Sequence, residues 1–223
     1  MNLRLFILLA GISIFLFSGT EKPNETGDGI ITGTVQLPAA QSSSSPAFGR
    51  YRRGAAPQQD SRQSVLIWLE KQSAGTVHSD EPVILDQQNL DFVPGILAVR
   101  QNQSVRILNS DPVYHNVFSL SSVKRFDVGR RPQGEYLDVM FDRQGVVEVF
   151  CDIHSNMHAI IYVVPPETVD WQERESGTPF EFGSLADGRY RLNVYAPGFD
   201  LYSADITVNR GETIDSGTIS LNR

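Results

Sequence analysis

The chain of 223 residues has a single cysteine and only four histidines. One thiol makes no internal disulfide, and it excludes the cysteine-rich zinc and iron–sulfur sites. Positive charge is also scarce, with 19 Lys and Arg against 26 Asp and Glu and a formal net charge of -7. That balance argues against a nucleic-acid partner. No apolar run reaches the roughly 20 residues of a membrane-spanning helix, and no long stretch carries the periodicity of an amphipathic helix. A phosphate-binding loop, a dinucleotide-binding glycine pattern and a Ser/His/Asp motif are all missing. What is present is an apolar content of 40%, enough to bury a core. The length allows one large or two small domains.

Residues 5–17 form an apolar run that follows Arg4 and leads into Ser18-Gly19-Thr20. This is the layout of a secretory signal, so residues 1–20 are expected to be a signal peptide or an uncleaved N-terminal anchor. The remainder is expected to be periplasmic or otherwise exported. Residues 39–63 carry four successive serines, two prolines and Arg50, Arg52, Arg53 and Arg62, and read as a loop.

The rest reads as short strands. Val65-Leu66-Ile67-Trp68-Leu69 is a continuous apolar run, which suits a buried strand. Further β-rich runs follow at intervals of about ten residues up to Val164, separated by turn pairs such as Pro94-Gly95 and Gln101-Asn102. This rhythm predicts an all-β sandwich or barrel. Residues 169–177 are polar and predict one short helical turn. Past them, Asp187-Gly188, Pro197-Gly198 and Arg210-Gly211 punctuate another set of strands.

The lone Cys151 follows Val146-Val147-Glu148-Val149-Phe150, with His154 three residues on and Met157 three further. His115 lies upstream, just after the turn at Asp111-Pro112. Two imidazoles, one thiolate and a weak thioether are the ligand set of an electron-transferring copper centre. One loop between strands supplies three of them, and His115 supplies the fourth from elsewhere in the sequence. A Cys–His nucleophile made of Cys151 with His154 or His115 is the competing reading.

Cys151-Asp152-Ile153-His154-Ser155-Asn156-Met157, with His115-Asn116-Val117, resembles the cupredoxin or type 1 copper family. The short spacing before the methionine is similar to the amicyanin-like loop, and the stretch from Asn109 to Gly129 resembles copper proteins of the "methylamine utilization" type. The likeness spans about residues 82–164 and implies a Greek-key β-sandwich holding one mononuclear copper. By this likeness His115, Cys151 and His154 would bind the metal, with Met157 as axial ligand. Asn116 would tie the first histidine's strand to the cysteine loop. His158, directly after Met157, is an alternative axial ligand. Lys124, Arg125, Arg130 and Arg131 are candidates for docking a redox partner.

Phe180-Glu181-Phe182, then Asp187-Gly188-Arg189-Tyr190 and Ala196-Pro197-Gly198-Phe199, resemble the carboxypeptidase regulatory-like family, a small prealbumin-type β-module. Its likeness extends to Gly33-Thr34-Val35 and Val65 to Glu70. Four segments are therefore expected: 1–20; 21–81, including the 39–63 loop; a cupredoxin domain over 82–164; and the β-module over 165–223. Residues 28–72 belong either to the cupredoxin or to the later module. The function expected is a non-enzymatic, single-electron carrier. A copper-storing or copper-sensing protein and an envelope scaffold are the alternatives.

Overall fold

A computed structural model describes residues 27–38, 64–72, 75–77 and 79–223. The expected signal segment and the 39–63 loop lie outside the described residues. Among those described, every regular element is a β-strand, arranged in four sheets.

Two sheets are built from both ends of the chain. β1 (Gly29–Gln36) runs between β13 (Pro179–Leu185) and β16 (Thr213–Ser220), antiparallel to the first and parallel to the second. β2 (Ser64–Lys71) runs between β12 (Thr168–Glu175) and β14 (Gly188–Tyr195), with β15 (Tyr202–Val208) at the edge. The other two sheets come from the middle of the chain. One has the order β4 (Asp91–Val93), β3 (Val83–Gln88), β6 (Gln103–Asn109), β9 (Tyr136–Phe141). The other has the order β5 (Ile96–Arg100), β11 (His158–Val164), β10 (Gly145–Cys151), β7 (Val117–Ser119), β8 (Phe126–Asp127).

The apolar patterns follow from how these sheets stack. Leu85, Val105, Ile107, Phe141, Val147, Val149 and Ile161 fill the core between the two central sheets. Ile31, Ile67, Leu69, Phe180, Phe182 and Leu192 fill the core between the two outer ones. A third cluster joins the sandwiches: Leu66 and Trp68 of β2 meet Ile96 and Ala98 of β5 and Ile160 and Val164 of β11. Alternate side chains of a strand point to opposite faces. Val65 to Leu69 of β2 and Ala159 to Val164 of β11 are covered on both, so these runs are continuously apolar. β6 is covered on one face and alternates buried with half-buried residues.

Residues 168–175 are strand rather than the helical turn expected from their polar sequence. Pairing with β2 along Thr168–Glu175 overrides local propensity. Arg100 of β5 fastens this strand to the central sandwich. Its Nε donates to Thr168 O at 2.7 Å and its guanidinium lies 4.6 Å from the Trp171 ring centre.

Glu173 of β12 faces the same joint. Burial pushes its carboxyl above the ordinary glutamate range, although the Ser64 side chain and the Ile96 backbone bond to it. A carboxyl raised in the fold opposes folding once ionised, so its contribution is intact below the ordinary value and is lost as pH rises through the folded-state value. Glu173→Gln is expected to raise the melting temperature at pH 7 and to lose that advantage near pH 4. Thermal melts at the two pH values check this, and equal shifts at both would refute it.

Candidate metal centre

The centre is built where β7 and β10 meet. Cys151 ends β10 and pairs with Val117, two residues after His115. His115 is itself held by a two-way backbone bridge to Arg131, with N–H to O distances of 3.1 and 2.7 Å. Fully buried Asn109 shapes the loop before it, donating from Nδ2 to Val113 O at 2.8 Å and Arg131 O at 2.9 Å. Beyond Cys151 the chain turns sharply, and Met157 N–H donates to His154 O at 3.0 Å.

Three donor atoms converge. Cys151 Sγ lies 3.7 Å from His115 Nδ1 and 3.8 Å from His154 Nδ1, and the two nitrogens are 3.0 Å apart. Among the described residues, this is the one group of His, Cys, Asp or Glu side chains arranged to hold a metal. A triangle with these sides has its centre about 2 Å from every corner, close to the distance at which imidazole and thiolate bind a transition metal. Met157 is 1% exposed and lies in the same core cluster as Cys151. The donor set of thiolate, two imidazoles and a nearby thioether fits one copper ion.

Asp111, which the sequence suggested only as a turn residue, is part of the site. Its Oδ2 lies 2.9 Å from His115 Nε2. An ionised carboxylate only accepts, so Nε2 carries the hydrogen, and in the neutral ring Nδ1 offers a lone pair to the centre. Burial pushes the Asp111 carboxyl up. Bonds from Leu90 N–H, His115 and Asn89 N–H outweigh that and hold it below the ordinary aspartate value.

The other expected residues fall in several places. His158 pairs across the sheet with Phe150, and their rings are 4.9 Å apart. Phe150 and Cys151 are successive, so His158 shares the face turned away from the thiol. Asn116 is 5% exposed, and its Oδ1 is buried with no hydrogen-bond partner. Lys124 pairs with Asp142 at 3.3 Å and Arg131 with Glu135 at 3.5 Å. Arg125 is exposed. Arg130 lines a shallow depression of about 500 Å³ together with His154, Val113, Tyr114 and Ile153.

The fold and the site together define an all-β protein with a two-histidine, one-cysteine centre at one end of a sandwich. No protein-family profile matches the chain, and no curated protein sequence matches it. Among solved structures it is similar to a Cu-containing nitrite reductase (NirK) from Thermus scotoductus SA-01, at 21% identity over 44% of this chain, with a TM-score of 0.38. The match takes in 26% of the nitrite reductase, so this chain spans about a quarter of that protein. It is similar to a purple cupredoxin from Nitrosopumilus maritimus, at 18% identity over 37% of this chain and 99% of that one, with a TM-score of 0.34. It is also similar to a reduced mutant of amicyanin, at 16% identity over 43% of this chain and 98% of that one, with a TM-score of 0.36.

Proposed function

We propose that this is an exported type 1 copper protein that carries single electrons between redox partners and catalyses no reaction itself. The observation that carries this reading is the triangle of Cys151 Sγ, His115 Nδ1 and His154 Nδ1. Bound copper would supply one chemistry, exchange of a single electron between Cu(I) and Cu(II). His115, Cys151 and His154 would hold the metal, and Met157, buried in the same cluster, would add its thioether. Cys151 is buried at the end of β10 and His115 is buried just before β7, held by its backbone bridge to Arg131. Fixed donors reorganise little between oxidation states, which favours fast transfer.

The partner meets the protein where His154 lines the depression. Val113, Tyr114 and Ile153 are exposed apolar residues there. Arg130 on the rim favours a partner whose apolar patch is bordered by acidic groups. Residues 82–164 form the cupredoxin domain with an amicyanin-like loop. They are inserted into a prealbumin-like module made from β1, β2 and the strands of 165–223. Residues 1–20 direct export.

Adding Cu(II) to the purified protein should give the intense visible band of thiolate-to-copper charge transfer, and a colourless protein would sink the reading. Met157→Leu is expected to keep copper while shifting the band and the potential. His158→Ala should change neither, because that ring stacks on Phe150 on the far face. A shift caused by His158→Ala instead would overturn the axial assignment.

A further inference from the structure

The hairpin joining β3 to β4 turns through two residues, since Gln88 pairs with Asp91. Both turn residues are left-handed, Asn89 with φ 58° and Leu90 with φ 61°. Asparagine tolerates this conformation, but leucine adopts it against steric resistance and only where the surroundings over-determine it. What the conformation achieves is visible. The two successive N–H groups both point at Asp111, Asn89 N–H to Oδ1 at 2.6 Å and Leu90 N–H to Oδ2 at 2.9 Å. The same Oδ2 is the partner of His115 Nε2. Asp111 N–H in turn donates to Asn109 Oδ1 at 3.0 Å, and neighbouring Ser110 is tied to Asp86 by its hydroxyl at 2.8 Å. The carboxylate is 6% exposed and fixed from the hairpin, the loop and the imidazole.

We infer that Asp111, pinned by the strained Asn89–Leu90 turn, is a positioning residue that orients His115 and sets the reduction potential of the centre. This rests on the copper reading above and extends it. A carboxylate bonded to the far nitrogen makes a ligating imidazole a stronger donor. A stronger donor and a nearby fixed negative charge both favour Cu(II) over Cu(I), so Asp111 lowers the potential. The turn matters because a carboxylate held by two backbone N–H groups cannot rotate away from the ring.

The test uses the copper-loaded full chain and reads the visible band and the reduction potential. Asp111→Asn is expected to keep the band and raise the potential. Asp138→Asn removes an exposed carboxylate from the outer surface of the same sandwich and should leave the potential where it is. An unchanged potential in Asp111→Asn, or an equal rise in both variants, overturns the proposal. Should Asp111→Asn fail to fold, nitrogen NMR of the histidine-labelled, copper-free wild type gives a second answer. His115 is expected to carry a hydrogen on Nε2, bonded to Asp111 and protected from exchange. An Nδ1–H tautomer would overturn the inference whatever the copper does. Absence of the band in the wild type would defeat the type 1 reading and with it the claim about the potential, whereas the orientation of His115 by Asp111 is tested separately by the tautomer measurement, which needs no metal.

Discussion

Cys151→Ser should abolish the intense visible band and weaken copper binding more than any other single substitution. The band depends on a thiolate, and a serine hydroxyl is neither soft nor ionised at neutral pH. Cys151 is also held firmly by the fold: it is 5% exposed, ends β10 and pairs with Val117, which keeps its sulfur beside both imidazoles. Removing an outer partner of a metal ligand costs roughly 10- to 100-fold in affinity, and losing the thiolate itself should cost more. Competition with a copper chelator measures the affinity, and the absorption spectrum measures the band. A serine variant that kept the band would mean that the chromophore is not at Cys151. Circular dichroism of the variant should match the wild type, since serine fits the volume of cysteine in the core.

The second large effect concerns the two ends of the chain. A protein ended after Val164 is expected to lose cooperative folding of β1 and β2. Among the described residues, β1 and β2 pair only with strands later than that point, namely β12, β13, β14 and β16. Ile31, Val35, Val65, Ile67 and Leu69 are fully buried in the core those strands complete. Exposing each costs roughly 1.5–3 kcal/mol, so the five together reach the 5–15 kcal/mol that stabilises a typical domain. Hydrogen exchange should show the amides of β1 and β2 unprotected in the shortened protein and protected in the full chain. If they remained ordered after truncation, the inserted-domain arrangement would be wrong. The central sandwich would also lose its cover, because Ile96, Ile160 and Val164 pack on Leu66 and Trp68. Aggregation of the truncated protein is therefore expected as well.

Much of this was legible in the sequence, and for identifiable reasons. Strand periodicity depends on nearest neighbours, so the strands and their turns could be read locally. The spacing of Cys151, His154 and Met157 was equally plain, because one tight turn brings the three together. The helical turn expected over residues 169–177 failed because a polar edge strand carries no local signal of the partner that makes it a strand. Asp111 carried no signal either. As half of Asp111-Pro112 it looks like any turn aspartate, and only the fold brings it to the His115 ring and the Asn89–Leu90 amides. His158 and Met157 are adjacent and both plausible as ligands. Cross-strand pairing with Phe150 decides which face the histidine takes.

By itself the sequence determined the all-β class, the donor types and the single thiol that limits the protein to one such centre. These are matters of composition and short-range spacing, where chemistry depends on which residues are present. The tertiary structure alone decided which imidazole nitrogen faces the sulfur, which carboxylate backs His115 and where the first two strands find partners. Those contacts join residues far apart in the chain: 36 positions between His115 and Cys151, 21 between Leu90 and Asp111. Closing loops of that length is favourable only when every core packs at once, and no local pattern encodes that cooperativity.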